Sequence, residues 1–476
     1  MSDEQASIQT ITQSRTPPDG YGTWNGYWTK EHNQPWRTEP EIDEERKSYL
    51  DERRAMQTDI ETGIYPFRDS NGSIMLTRAD MEWLLVTHDG GRGPVFWEEE
   101  VLKPEGQRRW GVDVRGANLR EVNLSGLPLA RLQAGLRFRE STTAEQREIA
   151  AANMERAKLQ DAHLEGAYLR NVHLERAKLR RAHLQGARLA RANLQMADLR
   201  DTNLSGVSFW KANLEGAHLQ RAFLAGGAVD NKGVFKQGTP QEPSTTRILP
   251  CDLRRASLDT HTELDGAILG SAKVDSVILA DVRWGGAVLS SIDWTPVATL
   301  GDEYKARRSR SASGAKKNSR TRVWEYTGAA RANRQLADAL RAEGLNDHAD
   351  RFDYRAQVLR GVVLFRQRHY LRWLGSSLLW LVAGYGYRPL RSFITYALVI
   401  LGFAAAYLFL GDSNGISLPW NEAIVVSMTA FHGRGFFSAV FQPGDLQAAI
   451  AAVEAFIGLL IEIIFIATFT QRFFAR

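Results

Sequence analysis

The stretch MERAKLQDAHLEGAYLRNVHLERAKLRRAHLQGARLARANLQMADLRDTNL, residues 154–204, decides the fold. A large apolar side chain stands at every fifth place: Met154, Leu159, Leu164, Leu169, Leu174, Leu179, Leu184, Leu189, Leu194, Leu199 and Leu204. The phase holds through Phe209, Leu214, Leu219 and Leu224. Two positions before each comes a small or β-branched residue, as at Ala157, Ala162, Ala167, Val172 and Ala177. A period of five fits neither an amphipathic helix nor a half-buried strand. A chain that turns a corner every five residues does satisfy it. One side chain of each five then points inward, and its small partner lets the backbone come close. Four corners make a square coil, and such coils stack at the strand spacing of about 4.8 Å.

Working outward, the same phase begins at Val114, Leu119, Leu124 and Leu129 and resumes at Leu253 and Leu258. It slips by one residue and then runs through Leu264, Leu269, Val274, Leu279, Trp284, Leu289 and Trp294. Two insertions interrupt it: residues 137–150, read as a helix, and 225–250, a Gly/Pro/Thr-rich loop. The motif, A(D/N)LxX, resembles the pentapeptide-repeat family. That resemblance implies a right-handed quadrilateral β-helix over residues 111–296, about seven coils and roughly 34 Å long.

Around the repeats, 476 residues leave room for further domains. A net charge of +5 is too weak to argue for nucleic acid. Cys251 is the one cysteine, which excludes an internal disulfide and a cysteine-based zinc site. The polar N-terminus lacks an apolar core, so it is read as no signal peptide, with the bulk of the chain cytoplasmic. Residues 1–110 are read as an arm and helical cap. The arm, to about residue 36, is read as mobile, and its aromatics Tyr21, Trp24, Tyr27, Trp28 and Trp36 are expected to pack on the β-helix or on a neighbouring subunit. Helices are expected over Pro40–Gln57 and Thr77–Thr87, the second with a Thr77/Asp80 capping box. After the repeats come a basic, Ser-rich linker (297–323), a helical hairpin broken at Gly344 (324–369) and an interfacial helix (370–390) anchored by Trp373 and Trp380.

Residues 391–476 differ in kind. Phe393–Leu410 is uncharged and as a helix reaches about 27 Å, enough to span a bilayer. Leu446–Thr470 is a second span. Arg366, Arg368, Arg372, Arg388 and Arg391 precede the first span, and Arg472 and Arg476 follow the second. Between them Arg434 is the only arginine or lysine. The positive-inside rule then puts both termini in the cytoplasm, with the spans in the plasma membrane. Trp420–Ala430 is apolar but too short to cross, and reads as a re-entrant helix.

Span, short helix, G-x-G, span is the order of two-transmembrane, pore-loop channels of the potassium-channel superfamily, which this region resembles. The resemblance implies a homotetrameric pore whose filter loop comprises Thr429, Phe431, His432, Gly433, Arg434 and Gly435. It implies an inner helix lined by Glu454, Gly458 and Glu462. Where the family has Thr-Val-Gly-Tyr-Gly-Asp, this chain has Phe431-His432-Gly433-Arg434-Gly435-Phe436. The glycines are kept, but the threonine, tyrosine and aspartate are replaced. The expectation is therefore a cation pore with an atypical filter, not assigned potassium selectivity. Gly384-Tyr385-Gly386 precedes the first span and is not taken as a filter.

Carboxylates inside a span are costly and usually face a cavity or a partner. Glu454 and Glu462 fall within about 80° on one helical face, and either could instead bond to the pore loop. Gly458 could serve as a hinge or allow close helix packing. His432, if exposed, could titrate near neutral pH. The alternative reading is a membrane-anchored scaffold without conduction. Mimicry of DNA is disfavoured, because residues 154–224 hold twelve Lys/Arg against seven Asp/Glu. No catalytic constellation is present, so no enzyme is expected. His163 and His183, twenty residues apart, stack on one face and read as a solvated column, with no metal assigned. The expected partners are membrane lipid, further copies of the chain and an unidentified ligand or protein on the β-helix. The expectation includes no nucleic acid and no cofactor beyond permeant ions.

Overall fold

A computed structural model of the chain describes residues 26, 28–30, 35–69, 72–97, 100, 103, 105–137, 140, 143–229, 235–236, 246–248, 251–270, 276–310, 315–387, 389–410, 418–433 and 444–474. Tyr21, Trp24, Tyr27, Val274, Arg434 and Gly435 lie outside them. Two compact units divide the chain, Met1–Ser311 with Asp338–His348, and Ala312–Ala337 with Ala349–Arg476.

In the first unit the five-residue period becomes a coil. At each corner the inward residue opens a turn closed by a backbone hydrogen bond, as from Ala162 N to Leu159 O at 3.2 Å. The third residue of the turn has positive φ, 57° at Asp161, 57° at Arg181 and 63° at Gly166. That is the type II arrangement. The coils are joined by a parallel ladder stepping by twenty residues, Asn153↔His173↔Asn193↔Asn213. Leu159 N donates to Lys178 O at 2.8 Å, and Lys178 N donates to Ala157 O at 2.9 Å. Leu159, Leu164, Leu169, Ala157, Ala162 and Ala167 are all buried. Both columns of the period thus form the core.

The bridges refine the reading of the corners. Phe223↔Ile268 and Asp252↔Ile278 place Leu269 over the Leu224 corner and Leu279 over the Leu253 corner, while the expected corner Val274 lies outside the described residues. Gln133↔Tyr168 makes buried Ala134 a corner, although it carries no large side chain. The slip by one residue is as expected: Asn213↔Ser257 steps by 44 and His218↔Glu263 by 45. The insertion 225–250 is more than a loop, because 235–236, 227–229 and 246–248 pair as an antiparallel sheet.

The N-terminal cap is built from helices α1 (Glu44–Ala55) and α2 (Arg78–Val86). Thr77 and Asp80 form the expected capping box on α2. A buried Arg78–Glu82 pair, 2.7 Å apart, ties residues 36–39 to the first coil. Glu82 accepts from Thr38 N at 3.0 Å and Glu39 N at 3.1 Å. Arg78 donates to the carbonyls of Trp36, Asn123 and Ser125. Trp28 and Trp36 are buried, Trp28 against His163 of the β-helix, as expected of the arm's aromatics. Helix α3 (Ala144–Ala150) occupies the end of the first insertion. Helix α4 (Gly301–Arg307) begins the stretch read as a linker. There the buried Asp302 accepts from Leu279 N (2.7 Å) and Ala280 N (3.3 Å), which closes the last coils. Glu343 likewise accepts from Leu289 N and Ser290 N at 2.8 Å each.

Helices α5 (Ser319–Ala342) and α6 (Asn346–Arg366) flank Gly344, whose φ of 79° ends the first of them as the sequence predicts. In the second unit α7 (Tyr370–Ala383) ends in a turn at Gly384–Gly386, where the Tyr385 hydroxyl pairs with Ser376 at 2.8 Å. The decoy Gly-Tyr-Gly is therefore a helix stop. Helices α8 (Pro389–Leu410), α9 (Trp420–Phe431) and α10 (Leu446–Phe474) follow. Within α8 and α10, Leu390–Leu410 and Leu446–Ala467 are long and apolar enough to cross a membrane.

Candidate functional site

Of these three helices α9 is the short one. Its twelve residues reach about 18 Å, too little to cross a bilayer. It packs against both long helices. Toward its start, Ala423 and Val426 join Ala404 and Tyr407 of α8 with Ile450 and Ala451 of α10. At its end, Phe431 is buried with Val382, Ile400 and Ile461 and meets the Tyr396 ring edge-on at 4.9 Å.

Gly458 sets how closely that end can approach. A Cβ at this position would lie 1.9 Å from the Phe431 carbonyl oxygen. Of the two roles the sequence left open for this glycine, the packing requires close approach. Gly433, with φ of 65°, ends α9 in the left-handed conformation, and its N–H donates to Ala430 O at 2.9 Å. Thr429 turns its hydroxyl back on its own helix, to Val425 O at 2.7 Å and Val426 O at 2.9 Å.

The two carboxylates of α10 part company. Glu454 is fully buried and accepts from the Tyr407 hydroxyl of α8 at 2.9 Å and from the Ser427 hydroxyl of α9 at 2.5 Å. It links all three helices from inside the bundle, the bonding role that its sequence position left open. Glu462 instead lines a cavity of about 500 Å³ with Ser392, Phe393, Tyr396 and His432. His432 Nδ1 donates to the Met428 carbonyl at 2.7 Å. Its Nε2 therefore faces Glu462 Oε1 and the Tyr396 hydroxyl, each 3.4 Å away. Burial and hydrogen bonding thus make Glu454 structural, while Glu462 and His432 line the cavity beside the Tyr396 hydroxyl.

Tyr396, Tyr407 and Ser427 were not singled out by the sequence reading. Their signal is weak: a tyrosine or serine inside an apolar run, spaced so as to meet a carboxylate two helices away. Arg434 and Gly435, the rest of the expected filter, lie outside the described residues.

On the β-helix the ladder brings His163 and His183 together, with ring centroids 4.4 Å apart and planes 10° from parallel. A third histidine, His173, lies 2.7 Å from Glu148 of α3 and 3.2 Å from Glu175. Its hydrogen bond with Glu175 is the largest of the effects that push it up to about 9.

The pentapeptide-repeat family model matches residues 150–186 and 182–221, in eight copies. Among solved structures, a pentapeptide repeat protein from Nostoc PCC 7120 is 24% identical over 24% of this chain and 83% of its own, with a TM-score of 0.18. HetL, from Nostoc sp. strain PCC 7120, is 23% identical over 38% of this chain and 81% of its own, with a TM-score of 0.18. A thylakoid-lumen pentapeptide repeat protein of Arabidopsis thaliana is 17% identical over 33% and 83%, with a TM-score of 0.15. No curated protein matches the chain. The family match falls on the same coils in which the five-residue corners and the twenty-residue ladder run unbroken: residues 150–221 are pentapeptide repeats, and among the described residues two helices are long and apolar enough to cross a membrane.

Proposed function

We propose that the C-terminal module forms an oligomeric, cation-conducting pore in the plasma membrane, with the β-helix as its scaffold or sensor. The observation that carries this reading is α9. A helix too short to cross is wedged between two that are long enough, with its last carbonyl seated on Gly458. An irregular chain returning from such a helix is tolerated in a bilayer only when it is shielded or lines water. Copies of the module around an axis supply that shield, and the channel resemblance makes the number four. The negative C-terminal end of α9 and the carboxylate of Glu462 both favour a cation there.

Membrane insertion is supported by where the apolar surface lies. Only 17% of each span-length window is buried within the protomer, unlike a soluble core helix. Leu401, Phe409, Phe456 and Ile463 face outward, while Glu454 and its partners face inward. Lipid and further copies of the chain are the surfaces that fit. The arginines flanking the spans favour cytoplasmic termini. The reading involves no enzymatic step and no nucleic acid.

Glu454 also favours a second reading. Because its bonds are satisfied within one protomer, the three helices could serve as a self-contained anchor for a β-helix scaffold, without conduction. Ion flux from liposomes containing the full-length chain separates the two. The pore reading expects cation-selective flux that scales with protein. Tight vesicles in every salt and pH, with the protein inserted, would leave the anchor.

A further inference from the structure

The His163–His183 stack is joined by a third potential ligand. Glu165 follows His163 by two residues and is 2% exposed, although it carries a carboxylate. Its Oε1 lies 3.1 Å from His163 Nδ1 and 3.9 Å from His183 Nδ1. Its Oε2 is buried and has no hydrogen-bond partner among the described residues. One potential ligand atom from each of the three residues lies within 4.8 Å of the others.

The surroundings make this a walled site rather than a chance meeting on a solvated face. The edge of Trp28 meets the His163 ring at 4.6 Å and 79°. The Trp97 ring lies where a Cβ on Gly166 would come within 2.6 Å of it, and one on Gly186 within 3.5 Å. These glycines sit in the two coils that carry the histidines. The opening is at His183, whose side chain is 44% exposed.

A buried carboxylate with one oxygen unsatisfied is costly unless a cation or a proton meets it. Two imidazoles and a carboxylate are the donor set that zinc takes where three protein ligands leave one position open. With metal–ligand bonds of about 2.0–2.2 Å, tetrahedral ligand atoms stand about 3.4 Å apart. The 3.1 and 3.9 Å separations bracket that value. Parallel rings must tilt toward each other to share an ion. Half-exposed His183 has the room, whereas His163 is braced by Trp28.

We propose that His163, Glu165 and His183 bind one divalent transition-metal ion of the zinc class, with a fourth coordination position open on the His183 side. The ion staples two successive coils and fixes the Trp28 segment beside them. The sequence assigned no metal here, because the twenty-residue spacing showed two ligands and not the third.

Tag-free, full-length protein stripped with chelator and titrated with Co²⁺ and Zn²⁺ tests the site. The expected result is one ion per chain, the visible absorption of four-coordinate Co²⁺, and a rise in Tm on adding Zn²⁺. Glu165→Gln and His183→Ala should each abolish all three, while His173→Ala, on the opposite face of the coil, should leave them intact. His183→Ala alters a half-exposed side chain, and circular dichroism confirms that the variant is folded. Folded wild-type protein that takes up no stoichiometric Co²⁺ or Zn²⁺ would overturn the proposal. So would binding that survives both Glu165→Gln and His183→Ala.

Discussion

Gly458 lies directly against the carbonyl of Phe431, so that a Cβ at position 458 would stand 1.9 Å from that oxygen. The atom it meets is backbone, which cannot swing aside as a side-chain tip could. The seat of the short helix on the second long helix depends on this missing methyl group.

Gly458→Ala should therefore push the end of α9 off α10. Overpacking of this kind costs about 1–3 kcal/mol or more. Thermal unfolding of the detergent-solubilised chain should show the loss, with faster proteolysis near residue 433. A variant as stable as wild type would mean that the helix end is not seated there.

Glu454 should behave as a bonding hub, not as a surface charge. Glu454→Ala removes the carboxylate that accepts from the Tyr407 hydroxyl and leaves Ser427 its bond to the Ile400 carbonyl, at a cost of about 1–3 kcal/mol. A double-mutant cycle of Glu454→Gln with Tyr407→Phe should show clear coupling, because the two side chains share one hydrogen bond. Strict additivity would count against the hub.

His173 supplies a pH dependence in the β-helix. Its pKa in the fold, about 9, is above the ordinary histidine value, chiefly through its bond with Glu175, with Glu148 adding to the effect. The stabilisation is therefore fully present below about pH 6.5 and is lost as pH rises through about 9. Glu148 belongs to α3, so this helix should loosen on its coil across that window. Amide exchange at residues 144–150, corrected for the intrinsic pH effect, should rise between pH 6.5 and 9 in wild type and stay level in His173→Ala.

The repeat was legible because each corner places one large residue in the interior, and a period of five has no helical or extended rival. Ala134 escaped notice because a small side chain can fill a corner. In the helical module, order and helix bounds were legible from hydropathy, but the division of labour between Glu454 and Glu462 was not. A spread of about 80° on one helix face allows one carboxylate to meet the protomer's interior and the other a cavity. Only the positions of Tyr407 and Ser427 decide which. Glu165 was missed because the period advertises inward residues, while side chains two apart across a corner also meet, as Asp198 and Arg200 do at 2.7 Å.

Single-channel recording of the full-length chain in planar bilayers, wild type beside Glu462→Gln, tests the central claim most directly. The account predicts discrete cation-selective openings in wild type, blocked by polyvalent cations. In Glu462→Gln it predicts that conductance falls or the block weakens by about tenfold, the loss of roughly 1.4 kcal/mol of attraction. Bilayers that stay silent under every ion and pH, or a Glu462→Gln variant with wild-type conductance and block, would contradict it.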